Sequence, residues 1–347
     1  MKFSWFQTKS RSLAIDLGTA NTLVYSPEHG IVINEPSVVA INTKTEQILA
    51  VGHEAKEMLG KTPPHIEVTR PLSGGVISDY EVTEKMLKFF IEKVTKSAFA
   101  FATRPRVVIA VPLDVTEVEI KAVEDATLAA GAKEVFIVQE PMAAAIGSRM
   151  PVREPVGNMI VDIGGGNTEI AVISLSGVVT WKSTKIAGDE MNKNIIQYAR
   201  EVFKLLVGEA HAEEIKIKAG SALPRKERVE FPMRGRDSVT GLPKEIMISD
   251  EHIRQALSRS VKTIVDHIKM TLEVTPPELT ADIHERGILL VGGGALLEGL
   301  DVVIGRAAEI PVRVADDPLT SVVRGAGVLL EDEELLKQVV LPSAREV

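Results

Sequence analysis

Short apolar runs broken by glycine and small polar residues set the rhythm of this chain. Leu13-Ala14-Ile15 ends in Asp16; Gly18, Thr19, Ala20, Asn21 and Thr22 follow, and Leu23-Val24-Tyr25 is apolar again. Apolar runs of this length around a glycine turn predict a β-hairpin with a carboxylate at the end of its first strand. The same pattern returns in MIVDIGGGNTEIAVI at 159–173, where Asp162, Gly164, Asn167 and Thr168 stand 146 positions after Asp16, Gly18, Asn21 and Thr22. A repeat of this kind sets the architecture. It predicts two similar domains, each with one such hairpin. Taken alone, either hairpin has an ordinary Gly-rich turn as its lesser alternative, and the repetition weakens that alternative further.

Between the hairpins, 31–33, 38–41 and 66–69 have strand character, with a short helix over 53–59. Gly60-Lys61-Thr62 resembles the tail of a P-loop, but Ala55 stands where that motif needs glycine. Val82, Met86, Phe89, Phe90 and Val94 give helical spacing over 79–97. A strand follows at 106–111, then a helix opened by a capping box of Thr116 and Glu119 and ended by Gly131. A strand at 134–138 and a small-residue helix at 141–150 complete a β-α-β-α run, the mark of an α/β domain.

After the second hairpin the pattern predicts helices at 188–206 and 209–219 and strands at 228–233 and 239–248. Ser249 caps a long helix whose apolar face is Ile253, Leu257, Val261, Ile264, Ile268 and Leu272, and Pro276-Pro277 stops it. A buried-type strand at 287–291 runs into Gly292-Gly293-Gly294-Ala295 and a further helix.

Composition narrows the function. With 347 residues there is room for two or three domains; 45% hydrophobic and 25% charged residues are ordinary for a globular protein. The net charge of −8, without a long basic block, argues against nucleic acid as a partner. The absence of cysteine removes disulfides and thiolate chemistry and suits a reducing cytoplasm, and the seven histidines show no ligand spacing. No apolar run approaches the roughly 20 residues of a membrane span, and 1–12 lacks the apolar core of a signal peptide.

Half of the aromatic residues fall in two short segments: Phe3, Trp5 and Phe6, among Lys2, Lys9 and Arg11, and then Phe89, Phe90, Phe99 and Phe101. Aromatics beside cations suit a lipid headgroup boundary. That is the expectation for Phe3, Trp5 and Phe6, with Phe99 and Phe101 as a second contact. Phe89 and Phe90 are expected in a helix core.

The chemistry of the two hairpins is phosphate chemistry. Turns of glycine and small polar residues let backbone N–H groups approach a phosphate. A neighbouring carboxylate can hold Mg²⁺, usually through water. Gly18, Thr19, Ala20 and Asn21 in one domain and Gly164, Gly165, Gly166 and Asn167 in the other are therefore expected to clamp a nucleotide's phosphates, with Asp16 and Asp162 orienting Mg²⁺.

The two hairpins, Gln139-Glu140-Pro141 and Leu290 to Ala295 occur in the order of the actin, Hsp70 and sugar kinase superfamily. Within it the chain most resembles the MreB family of bacterial actin homologues. DLGTANTLVY (16–25), RPLSGGVISDYEVTEKML (70–87), QEPMAAAIG (139–147) and GEAHAEEIKIKAG (208–220) carry the likeness, which extends over essentially the whole chain. The basic-aromatic N-terminus resembles that of many Gram-negative members. Asn167 departs from the threonine of many members, a change that bears on hydrolysis rate more than on binding.

The resemblance implies an α/β, actin-like fold: two duplicated RNase H-like domains around a nucleotide cleft, each with a small inserted subdomain. Domain I is then 1–150 plus 318–347, with an insertion at about 32–74; domain II is 151–317, with an insertion at about 182–245. It implies an ATP/ADP-binding, Mg²⁺-dependent ATPase that polymerises into paired filaments on the inner face of the cytoplasmic membrane and guides wall elongation in rod-shaped cells. The partners implied are the protein itself, membrane lipids and membrane-bound elongation proteins such as RodZ and MreC. Glu140 is expected to orient the attacking water, or alternatively only to favour a helix N-terminus. Glu213 and Lys216 resemble a ribose-contacting pair, and Gly292, Gly293, Gly294 and Ala295 would let backbone lie against the adenosine side. Two other readings remain open within the superfamily. An Hsp70-like chaperone ATPase would need a peptide-binding domain after Val347; a sugar or acetate kinase would need an acceptor site and a catalytic aspartate.

Overall fold

The computed structural model describes residues 12–95 and 104–342. Phe3, Trp5, Phe6, Phe99 and Phe101 lie outside these described residues. The chain divides into two compact units, Met1–Val152 with Thr320–Val347, and Arg153–Leu319.

Each unit is built on a five-stranded sheet. In the first, the strands in chain order are Ser12–Leu17, Asn21–Ser26, Gly30–Pro36, Arg106–Val111 and Glu134–Gln139; in the second they are Asn158–Ile163, Thr168–Ser174, Gly177–Thr184, Ile288–Val291 and Val312–Val314. Counted this way, both sheets have the spatial order 3-2-1-4-5. Strands 1 to 3 are antiparallel, and strands 1, 4 and 5 are parallel in both. The repeat seen in the two hairpins therefore extends to the whole sheet. Parallel strands are covered on both faces, which is why Asn158–Ile163 is buried at every position.

Helices cover these sheets through single apolar stripes. In Asp250–Glu273 the buried residues include Ile253, Leu257, Val261, Ile264 and Ile268, and they pack with Met159, Val161, Ile170 and Leu290 of the second sheet in one core. In Glu117–Ala129 the capping box forms: the Glu119 N–H donates to Thr116 Oγ1 (3.3 Å), and the Thr116 N–H donates to Glu119 Oε2 (2.7 Å). Tyr80–Thr95 buries Val82, Met86, Leu87, Phe90 and Ile91. Phe89, expected in that core, is 42% exposed and packs edge-on against Phe90. At 100° per residue the stripe through Val82, Met86 and Phe90 leaves Phe89 to one side.

The small inserted sheet of the first unit comprises Val39–Asn42, Gln47–Val51 and Ile66–Thr69. It begins after Gly30–Pro36, which pairs with Asn21–Ser26 in the large sheet, and so later than position 32. In the second unit Gly177–Thr184 belongs to the large sheet to its last residue, so the inserted part follows it. Helix Gly188–Phe203 stops before Leu206 because Lys204 takes a left-handed conformation (φ 54°) and Leu205–Leu206 pairs with Glu230–Asp237. Three helices, Pro277–Arg286, Ser321–Leu329 and Glu333–Val339, have no counterpart in the sequence reading.

Candidate functional site

In both hairpins the pairing register is the same. Asp16 pairs with Leu23 and Leu17 with Thr22; 146 positions on, Asp162 pairs with Glu169 and Ile163 with Thr168. Each carboxylate thus stands at the carboxyl end of its strand, one residue before the turn, where open α/β sheets take ligands.

In the first unit the turn is braced from behind. Ser37 Oγ donates to the Gly18 carbonyl (2.6 Å), the Ser37 N–H donates to the Ala20 carbonyl (3.0 Å), and Thr19 Oγ1 accepts from the Gly75 N–H (2.8 Å). A Cβ on Gly18 would stand 2.7 Å from the Asn21 carbonyl oxygen, so this tight turn requires glycine. Asp16 is half-buried. Parallel pairing carries the same sheet edge across to Glu140: Asp16 pairs with Ala110, Ala110 with Val138, and Glu140 opens the next helix one residue after Gln139. The structure therefore brings Asp16, the glycine turn and the buried Glu140 to one edge of one sheet.

The second unit gathers more groups. Asp162 is 7% exposed, and burial alone raises its pKa to about 6. Its neighbour in the sheet is Val291, and the chain leaving that strand turns at Gly292 with φ 79°. A Cβ at Gly292 would run into Asp162 Oδ1 and the Ile163 carbonyl, and one at Gly294 into the Ile163 side chain. The glycines of Gly292 to Gly294 thus let backbone lie directly on the Asp162 strand. In the turn, the Gly164 N–H donates to the Asn167 carbonyl (3.0 Å), while the N–H groups of Gly165 and Gly166 make no backbone hydrogen bond among the described residues. Asn167 is 6% exposed and its buried Nδ2 has no hydrogen-bond partner. Leaving a buried donor unmade costs about 1–3 kcal/mol, so this amide is poised for an acceptor.

Helix Gly188–Phe203 begins beside this turn. The Gly188 N–H donates to the Gly164 carbonyl (3.1 Å) and the Asp189 N–H to the Gly165 carbonyl (2.8 Å). Lys216 Nζ donates to the Gly188 carbonyl (2.8 Å), so the helix Glu209–Ala219, which also bears Glu213, is tied to the turn. Gly164 to Asn167, Asp162, Glu213, Lys216 and Gly292 to Ala295 therefore all belong to one compact unit.

Among the described residues no group of three or more His, Asp or Glu side chains is arranged to hold a metal ion directly. A buried carboxylate beside a turn with unmet donors suits instead a hydrated cation that arrives with a phosphate ligand.

One residue of this neighbourhood was missed in the sequence. Glu169, 1% exposed, stands across the ladder from Asp162 on the same face of the sheet. The corresponding residue of the first hairpin is Leu23, which is also buried. Comparing the two repeats position by position would have exposed this exchange of leucine for a buried carboxylate.

The model of the MreB/Mbl protein family matches residues 10–338. The cell shape-determining protein MreB of Escherichia coli K12 is 50% identical over 326 residues, covering 93% of this chain and 94% of the relative. The cell shape-determining protein Mbl of Bacillus cereus is 47% identical over 327 residues, covering 94% and 98%. This chain belongs to the MreB/Mbl family. The crystal structure of MreB5 of Spiroplasma citri bound to ADP is similar with a TM-score of 0.90 and 36% identity, covering 95% of this chain and 98% of that one. The same protein bound to AMPPNP is equally similar in TM-score. The fold is accordingly actin-like, and the MreB/Mbl membership makes this an actin-like cytoskeletal protein rather than a chaperone or small-molecule kinase. No helix among the described residues is long and apolar enough to cross a membrane.

Proposed function

We propose that this MreB/Mbl protein binds and hydrolyses Mg²⁺-ATP, with the glycine turns of its hairpins as phosphate-binding elements, and that nucleotide controls its assembly into paired filaments. The observation that carries this reading is the buried, unpartnered Asn167 amide in a glycine turn beside the buried Asp162 carboxylate. The relative MreB5 bound to ADP and to AMPPNP supports the choice of a nucleotide.

In this reading the N–H groups of Gly165 and Gly166 and Asn167 Nδ2 donate to phosphate oxygens, and Gly18 to Asn21 form a phosphate-binding turn of the same kind. Phosphoryl transfer needs positioning and charge neutralisation more than covalent chemistry. Mg²⁺, held through water by Asp16 and Asp162, would neutralise phosphate charge. Glu140 orients the attacking water: it is buried at the start of its helix, and a carboxylate there is favoured by the helix dipole. Glu213 and Lys216 take the ribose, and Gly292 to Ala295 lie against the adenosine side.

Membrane attachment is the further part of the proposal. Phe3, Trp5 and Phe6, with Lys2, Lys9 and Arg11, would lie in the headgroup region of the cytoplasmic membrane, with Phe99 and Phe101 as a second contact. RodZ- and MreC-type membrane proteins are then the partners that connect filaments to wall elongation. Calorimetric titration with Mg²⁺-ATP tests the nucleotide reading: the full chain binds and Asp162→Ala loses most of the affinity or all of the turnover. Equal affinity and normal turnover in that variant would refute it.

A further inference from the structure

The helix Glu209–Ala219 is tied at two places. Lys216 Nζ fastens it to Gly188, and through Gly188 to the Gly164 turn. At its C-terminal end a second cation, Arg225, takes over. Arg225 Nη1 donates to the Lys218 carbonyl (3.4 Å) and Nη2 to the Gly220 carbonyl (3.0 Å), two of the carbonyls that the helix end leaves without an intrahelical donor. The same Nη2 meets Glu298 Oε2 at 2.8 Å.

Glu298 follows closely on Gly292 to Ala295, in the loop that leads to helix Leu300–Ala308. Its backbone is held too: the Ala222 N–H donates to the Glu298 carbonyl (2.7 Å), and Ser221 forms a parallel bridge with Glu298. Gly220 allows this approach, since a Cβ there would run into the Lys216 carbonyl and stand 3.1 Å from Leu297 Cδ1. Arg225 thus joins the end of one element to the flank of another. An arginine acting only as a helix cap would stop at the carbonyls; the Glu298 pair adds a charge-assisted bond to the glycine loop. The largely buried guanidinium does this while its Nε remains buried without a hydrogen bond.

We propose that Arg225 is a positioning residue for the nucleoside half of the ligand site: it fixes the helix bearing Glu213 and Lys216 against the loop that follows Gly292 to Ala295. This rests on the nucleotide reading above. Its consequence is selective. The phosphate turn is held by its own hydrogen bonds and by Gly188 and Asp189, none of which involves Arg225. Loosening Arg225 therefore weakens the grip on ribose and base and leaves the grip on phosphate.

The test is calorimetry on the full chain with two Mg²⁺-loaded probes, ATP and inorganic tripolyphosphate, which has the phosphates without the nucleoside. Arg225→Met lowers ATP affinity by about ten-fold or more, the size of a lost charge-assisted contact, and leaves tripolyphosphate affinity unchanged. Glu298→Gln, which keeps the helix-end hydrogen bonds and lies on the more exposed partner, shows the same selective loss at smaller size and serves if Arg225→Met does not fold. Unchanged ATP affinity in Glu298→Gln and in a folded Arg225→Met overturns the proposal, and so does an equal loss for both probes. A wild-type chain that binds ATP no better than tripolyphosphate overturns the nucleotide reading itself, an outcome distinct from either.

Discussion

Asp162 is the residue whose environment makes the sharpest demand. Its carboxyl, raised from 3.8 to about 6 by burial, prefers the protonated form in the folded chain. The sign follows from linkage: the folded state holds this proton more tightly than the unfolded state. The stability that goes with it is complete below the unfolded value near 4 and is lost as pH rises through about 6, a loss on the order of 3 kcal/mol. Asp162→Asn removes the loss. In denaturant melts without ligand, the variant is expected to gain stability over the wild type near neutral pH and to show no gain below pH about 4. Its melting temperature should respond little to Mg²⁺-ATP. A gain that is the same at both pH values would place the penalty elsewhere. Glu140→Ala is expected to keep Mg²⁺-ATP affinity and to lose about two orders of magnitude in hydrolysis rate, read by single-turnover phosphate release. Loss of binding without a separate rate defect would make Glu140 structural. At this scale Asp16, Asp162 and the two glycine turns were legible because the chain repeats them. Glu169 and Arg225 were not: a lone Glu or Arg reads as surface, and only burial or a partner distant in sequence gives it meaning.

Among the elements, the helix that carries Glu140 owes its place to two glycines. A Cβ on Gly147 would run into the Ser321 carbonyl, and one on Gly325 into the Ala143 carbonyl, so helices Glu140–Gly147 and Ser321–Leu329 touch backbone to backbone. Gly325→Ala must push them apart. The expected cost is about 2–4 kcal/mol in a urea melt, with hydrolysis reduced as Glu140 moves, whereas a melt within error of the wild type would show that the contact is soft. The long helix Asp250–Glu273 was readable from its single apolar stripe and its Ser249 cap. Ser321–Leu329 was not, because VVRGAGVL is buried on almost every side and shows no stripe to count. Pro277–Arg286 was hidden for another reason: Pro276-Pro277 reads as a stop, yet proline is equally at home in the first turn of a new helix.

For the whole molecule, the decisive feature is one sheet topology used twice, with the same hairpin register in each copy. The duplication was visible in the sequence; polymerisation was not, since no periodicity encodes a contact with a second copy, and it entered only through family likeness. The proposed filament formation also governs the expected behaviour at a membrane. One short aromatic segment binds lipid weakly, but a filament presents many, and each bound copy raises the effective concentration of the next. Deleting 1–7 is therefore expected to abolish flotation with anionic vesicles while leaving assembly intact, and added salt is expected to weaken the intact chain only in part because the aromatic contribution is not screened. Truncated protein that floats as well as the full chain would move the anchor to Phe99 and Phe101. The central claim, that nucleotide held by the duplicated turns drives assembly, is tested most directly by high-speed sedimentation of the full chain with and without Mg²⁺-ATP, with Asp162→Ala alongside. The account predicts that the wild type pellets with Mg²⁺-ATP and stays in solution without it, and that Asp162→Ala stays in solution in both. Pelleting that ignores nucleotide, or that survives in Asp162→Ala, would contradict it.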